Sequence, residues 1–207
     1  MRKLLALFAF LFCGPAFGLG AGDEVKAYVQ GAINDSIERI FSKSLAPEKR
    51  VEPFRKVVDE NFNFDAIANF VLGVHSRGLD PADKARFITA FRELNIRSYV
   101  KKFAGYADQK IDVVVAKPGN KDGEWFVDSR VRAANAGDKD YELVLRVQQA
   151  GGAYKVVDIV AEGVSMAMSY RSEYAGVLKA AADEGKPPVP SLTAEINRKI
   201  EALKAAK

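Results

Sequence analysis

Chemistry in this chain would have to be built from very few residues. His75 is the only histidine and Cys13 the only cysteine. A Ser-His-Asp or Cys-His arrangement would therefore rest on His75, which follows Gly73 in a predicted loop and reads as an exposed loop histidine. Zinc would have to be held by carboxylates alone or nearly so. No phosphate-cradling loop of the Gly-x-x-x-x-Gly-Lys-Ser/Thr or Gly-x-Gly-x-x-Gly kind joins a strand to a helix. We therefore expect no catalytic residue, no metal and no cofactor. One carboxylate does break a rule: by strict alternation Asp158 falls on the apolar side of a predicted strand, where a charge is costly unless paired or hydrogen-bonded. It reads either as a general base in a cone-shaped pocket, or as a structural anchor to backbone amides or to an arginine such as Arg171. The anchor is preferred, because the sequence places no second acid or base beside it.

The elements that would position these residues follow from periodicity. Across residues 24–41 the apolar positions Val25, Tyr28, Val29, Ala32, Ile33, Ile37, Ile40 and Phe41 recur at three and four, which predicts a helix. A second helix is expected from near Pro47, burying Val51, Phe54, Val57 and Val58. A short one over residues 67–72 is ended by Gly73. Asp80 and Pro81 supply an N-cap and a first-turn proline for a long helix reaching about Phe103. The period then changes to two. Ile111, Val113 and Val115 alternate with mixed residues; so do Trp125, Val127, Ser129 and Val131; then Tyr141, Leu143, Leu145 and Val147; then Tyr154, Val156, Asp158 and Val160. Gly-rich turns separate these runs, so they read as a four-stranded antiparallel meander. Its other face carries Asp128, Arg130, Arg132, Glu142, Arg146 and Gln148. Met166, Tyr170, Tyr174, Val177, Leu178 and Ala181 return to helical spacing, and a last helix is expected over residues 191–207. The fold class is α+β: one four-stranded antiparallel sheet wrapped by N- and C-terminal helices, with an apolar face that encloses either a solid core or a slot.

The first residues read as an address. Arg2-Lys3, the apolar run of residues 4–12 and the small residues that follow have the layout of a secretory signal peptide. Cleavage is expected after Gly18 or Ala21, which gives a leader over about residues 1–21 and one domain over residues 22–207. The apolar run is about half the ~20 residues of a membrane span. Cys13 lies inside this leader behind the bulky Phe12, which disfavours lipid anchoring. Without Arg2 and Lys3 the 31 basic residues become 29 against 27 acidic ones, a net charge of +2. No basic stripe with interleaved aromatics is present, so nucleic acid is not expected as a partner.

One stretch carries more specific information. A strand ending in Val157-Asp158-Ile159, then Glu162-Gly163-Val164-Ser165, then Tyr170-Arg171-Ser172-Glu173-Tyr174, resembles the signature of the MlaC or toluene-tolerance family of periplasmic phospholipid-binding proteins. The blocks Phe54 to Phe62, Phe64-Asp65 through Ala68 to Leu72-Gly73, and Phe87 and Phe91 leading to Tyr99 and Tyr106 follow the same family order, over about residues 25–180. Tyr154 stands where the family usually has tryptophan, and His75-Ser76 where an aromatic commonly precedes the arginine now at Arg77. A hopanoid-associated branch of the family is the alternative within it.

The resemblance implies an apolar lipid pocket in a monomeric protein of the periplasm. The implied role is a shuttle that carries a phospholipid, or a hopanoid-type lipid, between an outer-membrane lipoprotein complex and an inner-membrane ABC transporter complex, with transient membrane proximity. The expected lining is Phe91, Leu94, Tyr99, Phe103, Val113, Trp125, Val127, Leu143, Leu145, Met166, Met168 and Tyr170, with Tyr106 and Arg171 at the mouth. A pocket enzyme centred on Asp158 and a ligand-free periplasmic adaptor are the competing readings.

Overall fold

The computed structural model describes residues 20–41, 45, 49–103, 110–133 and 139–205, without the side chains of residues 101–103. The expected leader and cleavage sites, apart from Gly20 and Ala21, lie outside the described residues. So do Pro47 and Tyr106. The helices α1 (Ala21–Phe41), α2 (Val51–Asn61), α3 (Phe64–Leu72) and α4 (Pro81–Phe103) precede the strands β1 (Lys110–Pro118), β2 (Glu124–Arg132), β3 (Tyr141–Ala150), β4 (Ala153–Ala161) and β5 (Val164–Ser165). Helices α5 (Met166–Asp183) and α6 (Pro188–Ala205) follow. The sheet is an antiparallel meander in the order β1-β2-β3-β4-β5.

Proline sets several helix starts, because the first N–H groups of a helix have no intrahelical acceptor and a residue without one loses nothing there. Pro81 opens α4 behind Asp80, whose carboxylate accepts from Ala82 N (2.8 Å) and Asp83 N (3.2 Å). Pro188 and Pro190 sit in the first turn of α6, so this helix starts before residue 191, where the proline-rich segment suggested a break. Helix α2 starts at Val51 with Pro53 in its first turn, later than the Pro47 start expected from sequence. His75 sits half-buried in a 3₁₀ turn, Gly73–Ser76, rather than in an open loop.

Two bulges change which side chains face inward. The β1–β2 register shifts between Val113 and Val115, so Ala116 rather than Val115 pairs with Val127, and Val115 is left exposed. The β3–β4 register shifts at Val157: Val156 lies opposite Val147, whereas Asp158 lies opposite Arg146 and Ile159 opposite Leu145. Beyond the bulge the inward positions of β4 pass to Ile159 and Ala161, and Asp158 and Val160 leave the apolar face that strict alternation assigned them. An extra residue in one strand of a pair does this because side-chain direction has a period of two.

The fifth strand is the other departure from the four expected. Glu162 and Gly163 both have positive φ, 48° and 78°, the backbone that a two-residue hairpin needs between right-twisted strands. Ala161 accordingly pairs with Val164. Glycine takes this conformation freely and glutamate does not. Glu162 is held in it by its own contacts, since its carboxylate accepts from Glu142 N (2.6 Å) and its N–H donates to Glu142 O (3.2 Å). The Glu-Gly pair is thus a turn that folds the end of β4 back on itself and delivers Ser165 as the N-cap of α5.

Asp158 completes that cap. It is 7 % exposed, accepts from Ala167 N (3.0 Å) and takes the Ser165 hydroxyl hydrogen (2.6 Å), while Ser165 Oγ accepts from Met168 N (3.0 Å). Both carboxylate oxygens are engaged, and Arg171 takes no part. Removing the carboxylate leaves a buried N–H and a hydroxyl unmet, so Asp158→Ala is expected to cost about 2 to 3 kcal/mol. Ser165→Ala should cost about 1 kcal/mol as a lost N-cap. Because the two groups share one network, the double variant in urea unfolding should lose clearly less than the sum; strict additivity would contradict the linked cap.

Candidate functional site

The apolar core falls into three clusters. Helices α3 to α6 pack around Phe87, Phe91, Tyr174 and Ile196. Helix α1 covers part of the sheet through Val25 and Val29 on Val113, Val127, Leu145 and Val147. The end of α1 meets α2 and α4 through Ile40, Phe54, Val57, Val58, Ile96 and Val100. Between these clusters lies a cavity of about 470 Å³. Such a volume is that of a ligand site rather than a packing defect, since well-packed interiors hold few voids larger than a water molecule.

The walls come from every layer. The sheet supplies Leu143, Leu145 and Val147 of β3 with Val156, Ile159 and Ala161 of β4, the inward set defined by the bulge. Helices α1 and α2 supply Ile33, Ile37, Phe54 and Val57, while Phe91 and Tyr99 of α4 with Met166, Ala167 and Tyr170 of α5 close the remaining side. Phe91 is the hub of that side. It stacks on Phe87 at 5.6 Å and takes the edges of Tyr170 at 5.0 Å and Tyr174 at 6.1 Å, the offset and edge-to-face geometries that aromatic rings favour.

Several polar groups of the wall are turned to partners within the protein. Ser36 donates to Ala32 O, Asn61 to Val57 O and Asn95 to Phe91 O. The Tyr170 hydroxyl donates to Asn95 Oδ1 (2.8 Å) and lies 3.2 Å from that of Tyr99. Asp158, the only charged residue among the described lining, is consumed by the α5 cap. The surface toward the cavity is mainly hydrocarbon and aromatic. No group of three His, Cys, Asp or Glu side chains among the described residues is placed to hold a metal.

The family model described as MlaC protein matches residues 30–185, more than half of the chain. The chain belongs to the MlaC family. Its fold is also similar to that of a phospholipid-binding protein from Ralstonia solanacearum, solved in complex with a phospholipid: the TM-score is 0.72 at 20 % identity, over 86 % of this chain and 98 % of that one. At that identity the likeness is one of fold.

Within the MlaC frame the residues expected from sequence separate into groups. Phe91, Tyr99, Leu143, Leu145, Met166 and Tyr170 border the cavity. Val113 and Val127 do not, because α1 lies directly on them and makes solid core there; Trp125 packs against the same cluster. Leu94 is buried in the helical cluster. Met168 points outward and is 51 % exposed, since on α5 it lies two residues from the inward Met166. Arg171 lies over the Phe70 ring (5.3 Å), donates to Phe70 O (3.3 Å), and would be met by any side chain at Gly73. Phe103 ends α4, and its side chain is outside the described set. The lining residues missed were those of α1 and α2, Ile67 of α3, and sheet positions such as Val131, Val147, Val156, Ile159 and Ala161. The signal for α1 was the width of its apolar stripe, where Ile33 and Ile37 exceed what Val25 and Val29 need to cover the sheet.

Burial raises the Tyr170 phenol well above its ordinary range, with the hydrogen bond to Tyr99 adding to the effect. Folding then favours the neutral phenol. This contribution is complete below the ordinary tyrosine value of about 10 and declines as pH rises above it, because the unfolded chain releases the proton first. Thermal unfolding followed from about pH 9 to about pH 11 should show stability falling with pH, and Tyr170→Phe should make that fall shallower. An unchanged slope would contradict this.

Proposed function

We propose that this chain takes the acyl tails of a phospholipid, or of a hopanoid-type lipid, into the cavity and carries the lipid through the periplasm. In this reading it receives and delivers its cargo between an outer-membrane lipoprotein complex and an inner-membrane ABC transporter complex. The observation that carries the reading is a cavity whose wall is mostly hydrocarbon and aromatic, in a chain of the MlaC family. The phospholipid in the Ralstonia solanacearum protein of the same fold supports the ligand class, and no helix among the described residues is long and apolar enough to cross a membrane.

The energetics suit a carrier. Two acyl chains hold about thirty methylenes, whose exposure to water costs on the order of 20 kcal/mol or more at ~0.8 kcal/mol each. A shuttle has only to offer an environment comparable to a bilayer throughout transit, which hydrocarbon and aromatic walls provide without a reactive group. The thioether of Met166 adds an adaptable contact for tails of different lengths.

Mature protein purified without detergent should carry stoichiometric lipid, read by native mass spectrometry and organic extraction. A lipid-free mass that liposomes leave unchanged would refute the proposal. Leu143→Trp, which places a large ring on the inward face, should fold and lose most lipid capture; normal capture would remove β3 from the wall. Asp158→Asn keeps an oxygen for Ala167 N and should retain lipid capture, whereas a substrate-turnover role for Asp158 requires activity to vanish in that variant.

A further inference from the structure

A second hollow of about 410 Å³ lies against the first, and the two share Tyr99, Met166 and Tyr170 as a common wall. Its character is different. Around it stand Ser98 of α4, Ser169, Glu173 and Tyr174 of α5, and Lys199 of α6. Lys199 Nζ lies 2.9 Å from Glu173 Oε1 and 3.6 Å from Glu195 Oε1, and the Glu173 contact holds the ammonium firmly in its charged form. Both members of the Lys199–Glu173 pair are about half exposed, so this side opens to solvent.

Tyr174 supplies an independent observation. The residue is 1 % exposed, yet its hydroxyl has no hydrogen-bond partner among the described residues. A buried hydroxyl left unmet is unfavourable, and native proteins rarely leave one without a partner that arrives from elsewhere. Its neighbour Tyr170 meets Asn95 and Tyr99. Across the shared Tyr99, Met166 and Tyr170, the surroundings therefore change from hydrocarbon on the cavity side to a cation and a carboxylate on the other. A phospholipid makes the same change between its tails and its charged head group.

We infer that the recess of Ser98, Ser169, Glu173, Tyr174 and Lys199 is a head-group site that selects zwitterionic lipids, with Lys199 and the Tyr174 hydroxyl on the phosphate and Glu173 on the ammonium. The inference rests on the lipid-carrier reading and deepens it. An exposed lysine–carboxylate pair contributes little to stability, so it can be shared with a ligand at little cost. An anionic head group without an ammonium would meet the Glu173 carboxylate unpaired.

The test uses lipid-free mature protein and vesicles of phosphatidylethanolamine and phosphatidylglycerol in equal amounts, with captured head groups and total lipid per protein both read by mass spectrometry. Wild-type protein should enrich phosphatidylethanolamine about fivefold, the scale of one exposed charge contact. Glu173→Gln should abolish or reverse that preference while total lipid stays unchanged, and Lys199→Gln should speed release of both lipids. Tyr174→Phe should leave the lipid-free protein at least as stable, yet reduce the gain in Tm on loading with phosphatidylethanolamine. Wild-type capture in the vesicle ratio, or an unchanged preference in Glu173→Gln, would overturn the head-group site while leaving the carrier intact; failure to load either lipid would instead overturn the carrier. Soluble glycerophosphoethanolamine, which bears the same charges without tails, should not bind the lipid-free protein. Binding of it there, abolished by Lys199→Gln, would make the recess a separate small-molecule site and overturn its coupling to the tails.

Discussion

The joint between the sheet and helix α5 is a buried carboxylate. Asp158 leaves the edge of the sheet, accepts the Ala167 N–H and the Ser165 hydroxyl, and thereby fixes where α5 starts and the direction in which it departs. The positive-φ pair Glu162-Gly163 makes this possible by reversing the chain within two residues. Met166 and Tyr170 reach the cavity, and Glu173 and Tyr174 the neighbouring recess, because of where this cap places the first turns of α5. A residue that looks reactive when read along the strand is thus a fixture. Both of its oxygens already accept hydrogen bonds from the backbone N–H and the hydroxyl it holds.

The cavity arises because the helices cover an apolar sheet face without filling the space above it. Helix α1 packs on one part of that face and its Gln30 side chain also engages the edge of β1, donating to Ile111 O (3.0 Å) and accepting from Val113 N (2.7 Å). That contact protects an otherwise open strand edge and holds α1 toward the β1 side. The α3–α6 cluster consolidates on its own around Phe91 and Tyr174. Three separately packed clusters keep their walls apart, so the space between them need not collapse. In the proposed carrier this is the physical requirement: walls stable without cargo, and an interior apolar enough to replace a bilayer.

Much of the architecture was legible along the chain. Hydrophobic period separated helices from strands, and Asp80-Pro81 and Gly73 marked real boundaries, because capping and positive φ depend on local chemistry. The stretch from Asp158 to Tyr174 was specific enough to suggest the family, since it encodes a turn, a cap and a helix face together. Alternation failed at Val115 and Asp158. A bulge is decided by pairing between strands, through contacts such as Gln30 on β1 and the Arg146–Asp158 register, and leaves no local mark in composition.

The division between core and cavity belongs to the tertiary structure alone. Val127 and Leu145 are adjacent inward positions on neighbouring strands, indistinguishable by pattern, yet α1 seals the first in core while the second borders open space. Likewise Lys199 and Glu173 read as ordinary surface charges on separate helices until the packing of α6 on α5 brings them to one recess. Sequence establishes what each side chain prefers, apolar or polar, helical or extended. Which apolar groups find a neighbour and which are left facing a gap depends on distances between elements far apart in the chain, and only the folded structure sets those.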